Sequence, residues 1–221
     1  MASRSDVDRA RRIGGISALI SGLLFAVGSA LWAFEMPEGG TPGPELVAFF
    51  EDNADGIIVG GTLSLLAVAV FLLTAAAIRR VMIDADGDDV LATTALAGAI
   101  LGVTLGASAE GINMMGAIRA QDGDLSDELA RSLFEIPQFF GSAGAALGFA
   151  VFSLAFAAVA WRSGRIVPRY AVVLIAIIGL VLLSPLAFMP EVPGACLVVL
   201  ALTFGIQLLR PPPSPAATPT R

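Results

Sequence analysis

Charged residues fall along this chain in clusters, and between the clusters lie six long stretches that carry none. Ile13–Phe34 separates Arg12 from Glu35, Gly56–Ile78 separates Asp55 from Arg79, and Val90–Ala109 separates Asp89 from Glu110. Ile136–Trp161, Tyr170–Pro190 and Val192–Leu209 follow, the last two parted only by Glu191. The first five runs are 20 to 26 residues long, and the sixth has 18, opening on Val192-Pro193-Gly194. Roughly 20 helical residues span a hydrocarbon core of about 30 Å. The pattern therefore predicts an all-α fold, a six-helix transmembrane bundle. Its membrane domain covers 13–209, with spans at about 13–34, 56–78, 90–109, 136–161, 170–190 and 192–209. Residues 1–12 form an N-terminal segment, and 210–221, which include Pro211-Pro212-Pro213, read as a disordered tail.

The arginines orient the bundle. With the N-terminus in the cytoplasm, 11 of the 13 basic residues are cytoplasmic and only Arg119 and Arg131 lie outside. Acidic residues run the other way, with 13 of 19 outside. Both termini are thus predicted to be cytoplasmic (N-in/C-in). Trp32 then sits at the outer interface, and Trp161 and Tyr170 at the inner one. The basic start, the first apolar run and the small residues Gly28-Ser29-Ala30 share features with a cleaved signal peptide, but the run's length favours a retained span.

Between the spans, the outer loops carry amphipathic patterns. Pro44 suits the opening of a helix that sets Leu46, Phe49 and Phe50 opposite Glu45, Glu51 and Asp52. In the second outer loop, Ser126 can cap a helix led by Asp127 and Glu128, with Leu129, Leu133 and Phe134 as its apolar side. Both predict short helices on the outer surface before the chain re-enters the bilayer. Laying 45–79 over 128–162 pairs Gly61 with Gly144 and Val68 with Val151. Laying the first run over the third pairs Gly14 with Gly98 and Gly22 with Gly106. The bundle then reads as a parallel repeat of two helix–outer loop–helix units plus a C-terminal hairpin.

Small residues at four-residue spacing predict where helices meet, because apolar side chains alone give helices in lipid little reason to associate. The third span carries Thr94, Gly98, Gly102 and Gly106, and the first carries Gly14, Ala18, Gly22 and Ala26. The fourth has Gly144 and Gly148. The first, third and fourth spans are expected to pack tightly in the interior. Pro185 is expected to kink the fifth.

Composition agrees with membrane insertion. The chain is 56% hydrophobic and 14% charged with mean hydropathy +0.83, against about 45–50% and 25% in soluble domains. Every basic residue is arginine, a bias suggesting a GC-rich bacterial genome and hence the bacterial cytoplasmic (inner, plasma) membrane. There is no histidine, which removes the commonest acid–base group and metal ligand. The single cysteine, Cys196, allows no intrachain disulfide and lies in an apolar run. Basic residues are spread as anchors rather than clustered, so nucleic acid is not an expected partner. Two acidic strings, Asp84–Asp89 and Asp122–Ser126, lack the ligand pattern of a calcium loop and read as solvated turns. No metal, cofactor or catalytic site is predicted, and the chain is not expected to be an enzyme.

One residue stands apart. Glu110 continues the Gly98–Gly102–Gly106 ridge by another step of four, near the outer boundary. Asn113, Arg119, Arg131, Glu135 and Gln138 fall close to the same level, which makes them a candidate outward-facing polar pocket.

The strings Ala10-Arg11-Arg12-Ile13-Gly14-Gly15-Ile16 and Glu45-Leu46-Val47-Ala48-Phe49-Phe50, the latter leading into a glycine-bearing span, resemble an uncharacterised bacterial family of multipass membrane proteins, a domain of unknown function. The resemblance covers roughly the first four or five spans. It implies a helical membrane bundle and no activity. The reading from sequence is a non-catalytic integral membrane protein, structural or accessory, whose partners are the lipid bilayer and another membrane protein or a homo-oligomer. The alternative is a small-solute transporter or channel subunit using the pocket near Glu110.

Overall fold

Every regular element in the computed structural model is a helix, among the described residues 4–32, 36–87, 89–184 and 191–211. They are α1 (Arg4–Ala30), α2 (Gly43–Asp52), α3 (Ala54–Asp86), α4 (Asp89–Gln121), α5 (Asp127–Gln138), a π-helical segment (Phe139–Ala145), α6 (Ala146–Ser163), α7 (Arg169–Leu182) and α8 (Glu191–Leu209). Five stretches are long and apolar enough to cross a membrane: Ser5–Ala30, Ala54–Asp86, Asp89–Gln121, the continuous Asp127–Ser163, and Val192–Leu209. The helix α7 is apolar but shorter, at 14 residues. The end of the predicted first span, the end of the fifth with Pro185, and the tail from 212 lie outside the described residues.

The helices overrun the charge boundaries that delimit the predicted spans. Both α3 and α4 have 33 residues, about 50 Å of helix at ~1.5 Å per residue. That exceeds the ~30 Å of a hydrocarbon layer by several turns, which here lie at the Ala54 end of α3 and the Gln121 end of α4. There they meet α2 and α5, which form a cap with an apolar core of its own, built from Trp32, Leu46, Phe49, Phe50, Ile57, Ala117 and Phe134. As expected, Pro44 lies in the first turn of α2, and Leu46, Phe49 and Phe50 are its buried stripe. The Ser126 side chain caps α5 by accepting from the Leu129 amide at 3.4 Å. The buried side of α5 is Ala130 and Phe134, with Leu129 and Leu133 only half-buried.

The expected break between this outer helix and the fourth span is absent. Instead α5 runs into α6 through the π segment. Its reason is phase: burial passes from Pro137 to Ser142, a step of five rather than three or four. A π turn inserts one residue, so the cap-facing side of α5 and the bundle-facing side of α6 both keep their contacts. The Ser142 hydroxyl donates back to the Gln138 carbonyl.

At the centre stands α6, which belongs to the most buried of the five apolar stretches, Asp127–Ser163. Phe149, Phe152 and Phe156 radiate from it. Phe71 of α3 meets Phe149 and Phe152 edge-on, each at 5.5 Å, and Phe204 of α8 meets Phe156 at 4.8 Å. Such edge-to-face pairs contribute about 0.5–1.5 kcal/mol each beyond their buried area. The side of the bundle away from this core is apolar: Leu23, Leu73, Ile177 and Leu180 are each more than half exposed. Several hydroxyls, by contrast, turn inward. Ser17 and Thr74 share a hydrogen bond of 2.9 Å across α1 and α3, and Ser21 donates to the Ala67 carbonyl at 2.8 Å. In water this distribution would be inverted.

The glycines singled out in the sequence differ in what they meet. Gly98 and Gly102 of α4 and Gly148 of α6 form a true backbone crossing: a Cβ on Gly98 would fall 2.7 Å from the Gly148 oxygen. Gly144 takes Leu105 of α4. Gly106, however, is only half-buried, with a Cβ there reaching nothing nearer than Ala145 at 3.8 Å, and Thr94 is exposed. Gly14 and Gly22 lie on α1, which packs against α3 and α8 rather than α4: their partners are Ala77 and Ala201. The glycines aligned by the proposed repeat therefore have unrelated partners. The helix–outer helix–helix order does recur, as α1–α2–α3 and α4–α5–α6, followed by α7 and α8.

At the cytoplasmic end assigned from the arginines, Arg11 is buried on α1. Its guanidinium donates to the carbonyls of Ile166 at 3.1 Å, Gln207 at 3.4 Å and Arg210 at 3.3 Å. The last two are open carbonyls at the end of α8, where a cation opposes the negative end of the helix dipole.

Candidate functional site

Towards the end of the bundle that α2 and α5 cap, the Glu110 carboxylate is set among the long helices. Because α4 continues to Gln121, Glu110 lies about 16 Å short of its outer end rather than at a boundary. The facing helix α3 runs antiparallel. Asp55 accepts from Gln121 Nε2 at 2.9 Å, Gly61 packs on Met114, and Ser64 faces Glu110. On the third side, α1 crosses α3 where Gly28 and Gly60 touch backbone to backbone: a Cβ on either would stand 2.5–2.6 Å from the other's carbonyl oxygen. Trp32, one turn beyond, lays its indole over Gly60.

Three buried polar atoms at this meeting of α1, α3 and α4 make no hydrogen bond: Trp32 Nε1, Ser64 Oγ and Glu110 Oε2. Ser64 faces the carboxylate without the geometry of a hydrogen bond, and its residue is fully buried. Leaving one buried polar group without a partner costs about 1–3 kcal/mol, more for a charged group. Further along α3 and α4 lies the apolar cluster of the cap, with Phe50, Ile57 and Ala117.

Of the six residues expected to form an outward-facing pocket, only Glu110 and Asn113 are inside. Asn113 is buried one turn outward on α4. Arg119 is at the end of α4, in an exposed ion pair with Asp124 at 2.7 Å. Arg131 lines a separate cleft of about 470 Å³ between α2 and α5, with Pro42, Gly43, Asp127 and Glu128. Glu135 is exposed, and Gln138 Nε2 contacts Met36 Sδ at 3.6 Å. A second opening, about 20 Å³ among Ser21, Phe25, Val68, Phe149 and Leu197, is apolar. Neither opening is lined by Glu110.

Spacing along the chain missed Ser64, Trp32 as a buried group, and the Gly28–Gly60 crossing. Nothing local marks Ser64, one hydroxyl in a charge-free run. Gly28, which sequence reading weighed as part of a cleavage site, is instead a helix contact.

Of the two acidic strings, Asp122–Ser126 is the non-helical link between α4 and α5, whereas Asp84 and Asp86 belong to the last turn of α3 and Asp89 opens α4, contrary to the expected turn. Asp86 pairs with Arg162 at 2.5 Å and Asp89 with Arg79 at 2.6 Å, around the left-handed Gly87 at φ 70°. Among the described residues, no three His, Cys, Asp or Glu side chains gather where they could hold a metal ion. No family model, no curated protein and no solved structure matches this chain.

Proposed function

We propose that this chain is a non-catalytic integral protein of the bacterial cytoplasmic membrane, crossing it six times with both ends inside, and serving a structural or accessory role beside another membrane protein or a second copy of itself. One observation carries the membrane reading: large apolar side chains face outward along the long helices while hydroxyls pair inside. Five helices qualify as crossings by length and composition. A sixth is supported by α7 together with the charge-free sequence up to Pro190. The 11-to-2 arginine split supports the orientation. The accessory role is supported by a glycine-closed interior whose opening among α1, α3, α6 and α8 is about 20 Å³, room for about one water.

The test has two parts. Reporter fusions that are active only outside the cytoplasm should be active in the loops at 39–42 and 122–125 and inactive after residue 210. Purification from native membrane should then bring down a stoichiometric membrane protein or a homo-oligomer. An active reporter after 210, or a detergent-free soluble product, would overturn the reading.

The alternative, a small-solute transporter or channel subunit, is favoured by one feature, the Glu110 carboxylate, whose Oε2 has no hydrogen-bond partner, set among the long helices about 16 Å short of the end of α4. Ionisable groups inside membrane bundles commonly mark ion or substrate paths.

A further inference from the structure

We propose that Tyr170, at the start of α7, and Arg210, at the end of α8, form a binding site for the headgroup of one anionic phospholipid whose acyl chains lie along the two helices. The inference rests on the reading above only in placing α7 and α8 in lipid, and it adds a ligand that the reading does not assign.

The Tyr170 hydroxyl oxygen accepts from Gln207 Nε2 at 3.2 Å and from Arg210 Nη1 at 3.0 Å. With its oxygen taken up by two donors, the phenol still has its own proton to give. Among the described residues nothing accepts that proton, and the side chain is 60% exposed. Arg210 commits a single N–H to this bond, and its remaining donors are exposed. Beneath them the buried Arg11 guanidinium donates to the Gln207 and Arg210 carbonyls and fixes the end of α8. A phenol and a guanidinium, bonded to each other, thus hold unspent donors at the surface.

Charge selects an anion. From Ile136 to Arg221 the only acidic residue is Glu191, which opens α8 at the end opposite Arg210. Arg165, Arg169 and Arg210 are exposed, and the ion pairs among the described residues involve Arg79, Arg119 and Arg162 instead. The Arg169 guanidinium lies over the Trp161 ring at 5.5 Å, a contact that uses its face and leaves its N–H edge to donate. On the neighbouring α1, Asp8 offsets part of the charge of Arg11. The apolar surface selects a lipid over a free anion. Tyr170, Val173, Ile177 and Leu180 recur at steps of three and four, so one exposed face of α7 runs on from the hydroxyl as hydrocarbon. Leu202 and Ile206, both exposed, lead to Arg210 in steps of four on α8. The two stripes meet at the Tyr170–Arg210 hydrogen bond, while α7 packs mainly on α6 and α8 mainly on α1. A phosphate held at that bond would have one acyl chain beside each stripe. Basic pockets between membrane helices at their cytoplasmic ends hold anionic headgroups in this way. A soluble acidic partner would meet the donors and leave the stripes unused.

The test uses the full chain, delipidated in detergent and titrated with phosphatidylglycerol or phosphatidylcholine, with bound lipid counted by native mass spectrometry. The first phosphatidylglycerol should bind about tenfold more tightly than the first phosphatidylcholine. Arg210→Gln and Tyr170→Phe should each cut that preference to about twofold or less. Arg80→Gln, which removes an exposed arginine near the end of α3, should leave the preference intact, and excess inorganic phosphate should not compete. Equal affinity for the two lipids would overturn the proposal, as would a preference that survives either substitution at the site. A loss in Arg80→Gln equal to that in Arg210→Gln would also overturn it, since it would mean diffuse attraction to the whole basic surface. Displacement by inorganic phosphate would overturn it too and mark a site for a free anion. The two readings fail separately: a chain that needs detergent but shows no lipid preference loses only this site, whereas a chain soluble without detergent loses both.

Discussion

Gly148 and Gly106 sit on facing helices, and both belong to the stripes of small residues legible in the sequence, yet the structure gives them opposite fates on substitution by alanine. At Gly148 a new Cβ would land 2.6 Å from Gly102 Cα and 2.7 Å from the Gly98 oxygen. All of these are backbone atoms of α4, so no side chain can rotate away and α4 and α6 must separate. Overpacking of this kind costs about 1–3 kcal/mol, and a contact made wholly of backbone belongs at the upper end. At Gly106 the nearest atom to a new Cβ is Ala145 Cβ at 3.8 Å, an ordinary contact. There the helix gains up to ~1 kcal/mol from replacing glycine. For a chain of this size about 1 kcal/mol shifts the melting temperature by roughly 2–4 °C. Gly148→Ala should therefore lower the midpoint in detergent by about 6–10 °C, and Gly106→Ala should leave it unchanged or raise it slightly. Melting followed by dye labelling of Cys196 or by light scattering reads both. Equal behaviour of the two variants would refute the crossing as drawn and leave only a generic preference for small residues.

Three further outcomes follow from other contacts. Arg11→Leu removes three hydrogen bonds to backbone carbonyls, two of them at the open end of α8, and should cost about 2 kcal/mol or more, with faster hydrogen exchange in the last turn of α8; Arg11→Lys should restore less than half, since an ammonium cannot fork between carbonyls. Gly116→Leu drives a side chain into Phe50, whose ring would lie 2.6 Å from a Cβ there, and should raise the rate of outer-loop proteolysis about tenfold; Gly111→Leu, with open space around it, should not. Arg162→Ala, although it breaks a 2.5 Å ion pair with Asp86, should change stability by less than about 1 kcal/mol, because the pair is solvated; a larger loss would mean that this contact anchors the loop between α3 and α4.

How much of this was legible in the sequence depends on whether a feature is local. Runs of uncharged residues mark where hydrocarbon ends, and they located the long helices from composition alone. They do not mark where a helix ends. The stretch from Glu110 to Gln121 carries a charge at each end of its first three turns, yet it stays helical because α2 and α5 cover its buried face at Asn113, Gly116, Ala117 and Ala120. The part of that covering supplied by α2 depends on residues more than 60 positions away and has no local sign. The same holds for the polar group: Glu110 announced itself as a charge on a ridge, but Ser64 and Trp32 become its neighbours only through the antiparallel crossing of α3 and the end of α1. The ridge itself shows the limit most directly. At ~3.6 residues per turn, positions four apart drift by about 40° per step. From Thr94 to Gly106 the stripe turns through about 120°, so one facing helix can meet only its middle. Gly98 and Gly102 are that middle, closed on Gly148, while Thr94 has swung outward and Gly106 toward the π segment. A spacing rule can therefore find a helix contact, but only the crossing angle chooses which two of four residues make it.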